Sequence, residues 1–217
     1  EPFLRGGFTD FMRMRQLLKR LVHKDYSDFR SILDWGCGCG RVARHFSEVK
    51  HAQFTGADID GDNIEWCAEN LKFGRFEKLS LFPPTVFSDR EFDLIYGISV
   101  FTHLREDAQD AWLEELHRIS KPGALIMVTC HGATTLNYAR LNKEQLDFLF
   151  STIEEQGFYI TASNDQINEF IDDQDYYVNV NHSHKYIHEH WGKYFQILDI
   201  VPGFIYTHDM VVMRKRQ

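Results

Sequence analysis

Asp34, Gly36, Cys37, Gly38, Cys39 and Gly40 fall within one stretch, "ILDWGCGCGR" at residues 32 to 41. These residue types allow two chemistries. Two thiols one residue apart could start a metal or redox site, but such a site needs two further ligands close by. The remaining cysteines, Cys67 and Cys130, are isolated in the chain, so the pattern is no metal-binding or disulfide framework. Three glycines at alternate positions have another use. They permit positive φ and let a ligand lie against the backbone. On that reading Cys37 and Cys39 are simply small residues lining a loop.

The glycine spacing departs from the dinucleotide fingerprint G-x-G-x-x-G, because Arg41 holds the sixth position and the third glycine comes early, at Gly40. Asp34 stands two residues before the first glycine, where its carboxylate would repel a pyrophosphate and attract an ammonium group. A second acid, Asp58, closes "GADID" about 24 residues after Asp34, the place from which a carboxylate accepts hydrogen bonds from ribose. An ammonium at one end and a ribose at the other describe a nucleoside joined to an amino acid, which is S-adenosyl-L-methionine. Two histidines follow later apolar runs: His103 in "SVFTHL" and His131 in "VTCHG". Each is a candidate catalytic base or substrate contact. The run "NHSHKYIHEH" places His184 and His188 four residues apart, as helical metal ligands can be, with His182 and His190 beside them. No nearby Cys or Asp completes that set, although Glu189 and Asp175 are at hand. A solvated or substrate-facing segment is the expectation, with no metal.

These residues need elements to position them. "RSILDWG" is a continuous apolar run ending in Gly, the pattern of a buried parallel strand. A helix is predicted from Arg41 to Val49, a strand in "AQFTGADI", a helix in "DNIEWCAENLKF", and a third strand in "FEKLSLF" closed by Pro83 and Pro84. "EFDLIYGIS" is the fourth strand. "EDAQDAWLEELHRIS" is a helix with acids early, basic residues late and a core stripe of Trp112, Leu113, Leu116 and Ile119. "ALIMVTCHG" is the fifth strand. A helix is expected in "NKEQLDFLFSTIEEQG", no regular period in "SNDQINEFIDDQDYYVNVN", and a short helix in "HKYIHEHWGKYF". Two closing strands, "FQILDIV" and "DMVVMRK", turn at Pro202 and Gly203. The fold class is therefore α/β: a Rossmann-like seven-stranded, mostly parallel sheet with helices on both faces and an antiparallel C-terminal strand pair. Residues 1–217 read as a single domain, with 1–29 as an N-terminal helical cover and 132–190 as an insertion that serves as a substrate lid.

The order "ILDWGCGCGR", "GADID", "FDLIYGISVFTHL", "ISKPGALIMVTCHG" resembles the class I S-adenosylmethionine-dependent methyltransferases, well over residues 30 to 131 and more loosely over the closing strands. Within them it is similar to bacterial members acting on small metabolites or glycans. The resemblance implies that Asp34, Gly36, Gly38 and Gly40, with Cys37 in the same loop, receive the methionine part. It implies ribose on Asp58, adenine against Ile59, and Gly97, Ile98 and Ser99 beside the methionine moiety. Many members carry an acid after the third strand to read the adenine amino group. Here that stretch is "SLFPP", so Leu81 and Phe82 are expected to supply apolar or backbone contacts. The sulfonium already activates the methyl group, so transfer is an in-line displacement that requires positioning and exclusion of water. The rival readings are a non-catalytic binding module or partner subunit, a dehydrogenase and an aminopropyltransferase.

Composition narrows the partners. The chain has 217 residues, 43% hydrophobic and 26% charged, with a formal net charge of -8. That balance argues against a nucleic-acid partner held by phosphate contacts. No apolar run reaches the roughly 18 to 20 residues of a membrane span, and the start has no secretory apolar core. The sequence opens on Glu1 and not on Met, consistent with a trimmed start. Unpaired cysteines make a reducing cytoplasm the expected compartment. The expected partner is a small-molecule acceptor. Oligomeric state leaves no signal in the sequence.

Overall fold

All five residues of Ser31–Trp35 are buried, so this strand, β1, must have both faces covered. In the computed structural model, which describes residues 2–137, 141–164, 173 and 175–217, β1 pairs in parallel with β2 (Gln53–Asp58) on one side and β4 (Phe92–Gly97) on the other. β3 (Arg75–Lys78) flanks β2, and β5 (Ser120–Cys130) flanks β4, both in parallel. β8 (Gln196–Ile205) and β9 (His208–Arg214) close the sheet antiparallel, in the order β3-β2-β1-β4-β5-β9-β8. This is the predicted Rossmann-like sheet. Its five parallel strands bring the loops after β1, β2, β4 and β5 to one edge.

Period-two alternation sorts the strand residues into two cores. Leu33, Trp35, Ile95, Ile126, Val128, Val211 and Met213 face one side, where α3 (Glu106–Ile119) lays down Trp112, Leu113, Leu116 and Ile119. Ile32, Leu94, Tyr96, Leu125, Met127, Met210 and Val212 face the other. That side is covered by α1 (Pro2–Val22), which buries Phe11, Met14, Leu17 and Leu18. α1 lies very close to the loop after β1. A Cβ on Gly7 would stand 2.0 Å from the Arg41 carbonyl oxygen, and the Arg41 guanidinium donates to the buried Asp10 at 2.6 Å. α2 (Gly61–Asn70) starts from Asp60, whose side chain accepts from the Asp62 and Asn63 amides.

Four local expectations are corrected. Residues 41–49 form turns and a 3₁₀ helix, Ala43–Glu48, instead of an α-helix. The Arg44 side chain donates back to the Cys39 and Gly40 carbonyls, while Phe46 is set among Phe11, Tyr26, Phe54 and Tyr96. β3 stops at Lys78, before the predicted end at Phe82. The chain does not turn at Pro202 and Gly203. Both lie inside β8, where the register jumps from Val201↔Met210 to Ile205↔His208. The extra β8 residues bulge, Gly203 takes φ +59°, and its amide donates to the Asp209 carboxylate at 2.9 Å. Reversal comes at Tyr206 and Thr207, with Tyr206 at φ +55°.

The stretch expected to lack a period holds the last correction. β6 (Phe158–Ser163) and β7 (Val178–His182) make a separate antiparallel pair. Residues 165–172 and 174 of that stretch lie outside the described residues. α4 (Ala133–Leu136) and α5 (Lys143–Gln156), the latter opened by an Asn142 capping box, precede β6. α6 (His184–Glu189) follows β7, capped by Ser183, and leads into a 3₁₀ turn at Trp191–Lys193. Among the described residues no helix is long and apolar enough to cross a membrane.

The α1 contact gives a paired test. Gly7→Ala is expected to cost about 2–4 kcal/mol in thermal or denaturant unfolding, because its methyl group must displace backbone. Gly6→Ala, whose Cβ would meet its nearest atom at 3.4 Å, is expected to be neutral or slightly stabilising. Equal melting of the two variants would contradict the close approach of α1 to Arg41.

Candidate functional site

The loop after β1 adopts the conformation that its glycines allow: Gly36, Gly38 and Gly40 have φ of +77°, +49° and +71°. They serve different ends. A Cβ on Gly36 would lie 2.3 Å from Val100, and one on Gly40 would lie 2.6 Å from Leu71, so both glycines permit close packing. A Cβ on Gly38 would meet nothing within 4 Å. Gly38 therefore borders open space, the place for a ligand against the backbone. Cys37 is buried beneath the loop beside Cys67, and both thiols donate to the Gly38 carbonyl at 3.5 Å. Contact with Cys67, together with burial, pushes the Cys37 thiol up, so it is no ready thiolate.

The two predicted acids sit on either side of this loop. Asp58, at the end of β2, accepts the Gly38 amide at 2.7 Å and the Asp60 amide at 2.9 Å, one on each oxygen. Burial raises its pKa in spite of those bonds. Asp34 is almost wholly buried in β1, and burial pushes its carboxyl up to about 7. The Tyr96 hydroxyl and the Arg41 charge oppose that rise, while the Asp58 charge adds to it.

Two cavities open at this edge of the sheet. One, of about 220 Å³, is lined by Asp58, Ile59, Asp60, Asn63 and Leu79, and is walled by Trp35, Leu104, Trp112, Tyr176 and Tyr177. The other, of about 260 Å³, is lined by Asp34, the loop from Gly36 to Cys39, Arg41, Val42 and Phe3 of α1. Gly36, Ile98 and Ser99 line both. The two cavities thus meet over Ser99, which holds φ +60° while its amide donates to the Thr129 hydroxyl at 2.7 Å.

Other predicted residues stand further back. Gly97 is a packing glycine, since a Cβ there would come within 2.9 Å of the Trp35 ring. Leu81 and Phe82 do not line either cavity; Leu79 does. The Leu81 carbonyl accepts from the Tyr176 hydroxyl and from Trp112 Nε1 at 3.1 Å, and Phe82 packs edge-on against Tyr176 at 5.2 Å. His103 stacks on Tyr177, with ring centroids 4.5 Å apart, and so lies one layer behind the first cavity. His131 stands 5.8 Å from His103 and 4.7 Å from His208, ring to ring. Burial lowers the pKa of all three, His131 and His208 to about 4.

The histidines after residue 181 point to separate partners. His182 is fully buried and bonds Gln109 at 3.0 Å; His184 bonds the Asp209 carboxylate at 2.8 Å; His190 bonds Asp110; His188 is exposed. His184 and His188 therefore do not act as a pair. Among the described residues no group of three or more His, Cys, Asp or Glu side chains converges as a metal site would require.

β7 is joined to the site by backbone bonds. The amides of Val178, Val180 and His182 donate to the carbonyls of His103, Thr102 and His131 at 2.9, 3.1 and 2.8 Å. This pairing brings Tyr176 and Tyr177 to the cavity wall. Sequence reasoning set those tyrosines inside the predicted 132–190 lid, and it missed Asn63, Leu79 and Phe3, which line the cavities, and His208, which touches Ser99. Asn63 and Leu79 follow motif residues closely enough to have been found. Phe3 and His208 reach the site from the two ends of the chain, and no local pattern announces them.

Residues 32–123 match the family model described as "Methyltransferase domain". The chain is 25% identical over 187 residues to phosphoethanolamine N-methyltransferase of Plasmodium falciparum, covering 82% of this chain and 70% of that enzyme. It is 27% identical over 152 residues to (S)-coclaurine N-methyltransferase of Papaver somniferum, covering 67% of this chain and 42% of that enzyme. Its fold is similar to that of 1,6-didemethyltoxoflavin-N1-methyltransferase of Burkholderia thailandensis, solved with 1,6-didemethyltoxoflavin and S-adenosylhomocysteine bound. There the TM-score is 0.62 at 16% identity, over 97% of this chain and 81% of that one.

Asp34 makes stability depend on pH with a definite sign. Its carboxyl pKa is about 7 in the fold against an ordinary value of 3.8. The folded chain therefore holds a proton that the unfolded chain releases between those values, and stability falls as pH rises from about 4 to 7. Asp34→Asn removes this cost, which is on the order of 4 kcal/mol when fully expressed. The melting temperature of Asp34→Asn is expected to exceed that of the wild type by a margin that grows from pH 5 to pH 8. A constant margin across that range would contradict the buried, proton-holding carboxyl.

Proposed function

We propose that this S-adenosylmethionine-dependent methyltransferase transfers the methyl group of S-adenosyl-L-methionine to a small-molecule or glycan acceptor of the kind handled by bacterial members, by in-line displacement. The observation that carries the reading is the pair of cavities that meet over Gly36, Ile98 and Ser99, with Asp34 at one end and Asp58 at the other. An ammonium at the Asp34 end restores the charge that burial suppresses on that carboxyl. At the other end each Asp58 oxygen already accepts one amide and keeps a second lone pair for a ribose hydroxyl. Adenine then lies between Ile59 and Leu79, with Asn63 as its polar neighbour. The sulfur, which joins the two halves of the cofactor, falls at the junction.

The chain's own task is to hold this geometry and keep water out. Tyr176 and Tyr177, delivered by the 132–190 insertion, wall the first cavity, and we assign the insertion the role of a cover over the acceptor. His103 and His131 are the candidates to take a proton from the acceptor. His131 is the better placed in chemical terms. Its Nδ1 lies 3.1 Å from the Val180 carbonyl, which can only accept, so Nδ1 carries the proton and Nε2 of the neutral ring keeps a lone pair. Two relatives are named for N-methylation of phosphoethanolamine and of (S)-coclaurine, which supports a small acceptor here. The four free cysteines fit a reducing, cytoplasmic setting.

Two measurements test this reading. Asp58→Ala is expected to weaken S-adenosylmethionine binding about 10- to 100-fold in calorimetric titration while the chain stays folded, the loss of one or two charge-assisted bonds. Unchanged affinity would remove Asp58 from the ribose site. Amide hydrogen exchange over residues 175–190 is expected to slow when S-adenosylhomocysteine binds, because Tyr176 and Tyr177 would gain a ligand to pack on. Identical exchange with and without ligand would make the insertion a fixed decoration.

A further inference from the structure

Ser99 belongs to both cavities and marks where they meet. Its hydroxyl lies 3.3 Å from Nδ1 of His208, a residue at the start of β9, about 110 positions further along the chain. His208 lines neither cavity itself and reaches the junction through that hydroxyl, whereas neither expected histidine, His103 or His131, bonds Ser99. His103 is separated from the first cavity by Tyr177, and His131 stands behind His208 at 4.7 Å. His208 is also held firmly. The two-residue reversal at Tyr206 and Thr207 presents it, and Asp209 anchors the hairpin through the Gly203 amide and His184 Nε2.

We infer that His208, held against the Ser99 hydroxyl, stands behind Ser99 at the level of the sulfur of bound S-adenosylmethionine, and that its uncharged imidazole spares the sulfonium a like charge there. The inference depends on the function proposed above, which puts the sulfur at the junction. A sulfonium carries a full positive charge, and S-adenosylhomocysteine, its product, carries none at that atom. A neutral, polarisable ring tolerates the first, whereas a cation in its place would repel it at short range in a poorly solvated site. The surroundings keep the ring neutral. Burial comes first in lowering the His208 pKa, to about 4, and the nearby His103 lowers it further while Asp209 opposes. The position therefore sets the preference of the enzyme for the charged cofactor over its neutral product.

The two ligands differ at the sulfur and its methyl alone. Effects of Asp34 on the ammonium and of Asp58 on the ribose cancel in the ratio of their affinities. Calorimetric titration with S-adenosylmethionine and S-adenosylhomocysteine on the full chain thus isolates the junction. His208→Lys is expected to weaken S-adenosylmethionine at least tenfold more than S-adenosylhomocysteine. His208→Asn is expected to keep the ratio within about twofold of the wild type, and His188→Lys, at an exposed position on α6, to leave both affinities unchanged. Equal weakening of both ligands by His208→Lys, or no weakening of either, would overturn the inference. If the lysine variant binds neither ligand, wild-type protein with methyl-¹³C S-adenosylmethionine decides. A nuclear Overhauser effect from the methyl to imidazole protons that vanish in His208→Asn supports the assignment, and its absence refutes it. Failure of wild-type protein to bind either ligand would instead remove the proposed function, a result distinct from an altered ratio.

Discussion

The Asp58 carboxylate joins the two loops on which the site depends. One oxygen takes the Gly38 amide from the loop after β1, and the other takes the Asp60 amide at the start of α2. The Gly36 and Cys37 amides donate to the Ala57 carbonyl just before it, so the end of β2 and the glycine loop form one hydrogen-bonded unit. Positive φ at three alternate glycines is the price of that arrangement, and packing by Val100 and Leu71 leaves no room for side chains at two of them. Because the carboxylate uses one lone pair of each oxygen within the protein, it is oriented before any ligand arrives. Preorganisation of this kind reduces the ordering cost of binding.

Around that unit the chain assembles its walls from distant segments. α1 contributes Phe3 and sets its buried Asp10 against Arg41 of the loop. The insertion contributes Tyr176 and Tyr177 through β7, whose amides bond the carbonyls of residues 102, 103 and 131. The closing hairpin sets His208 against Ser99, where the cavities meet. Each of these is a long-range contact, and each is fixed by backbone pairing or a buried polar bond rather than by apolar packing alone. The cavity edge is therefore defined by the same hydrogen bonds that hold the sheet and its insertion together.

Residues and elements with a local physical signature are legible in the sequence. β1 is legible because both its faces are buried and it reads as an uninterrupted apolar run. Asp34, the glycines and Asp58 are legible because they sit at fixed offsets from strand ends. The 41–49 segment misleads because its pattern suits a helix, whereas Arg44 returns to the loop carbonyls and winds it tighter. Pro202 and Gly203 mislead in the same way. They carry a turn signal, yet Asp209 captures the Gly203 amide and turns the pair into a bulge within β8. β7 is hidden because its apolar alternation, Val178 and Val180, spans only two residues and its intervening positions are Asn179 and Asn181, poor strand formers that bond tertiary partners. His208 has no local signal, since its place depends on that displaced turn.

The central claim is that one ligand spans both cavities, with ribose on Asp58, ammonium toward Asp34 and sulfur over Ser99. A crystal structure of the chain with S-adenosylhomocysteine tests it most directly. The account predicts ribose hydroxyls within hydrogen-bond distance of both Asp58 oxygens, about 2.6–3.0 Å, and the sulfur in van der Waals contact, about 4 Å, with Ser99. A ligand lying in the reverse direction, or one confined to a single cavity with Asp58 bonded only to Gly38 and Asp60, would contradict it.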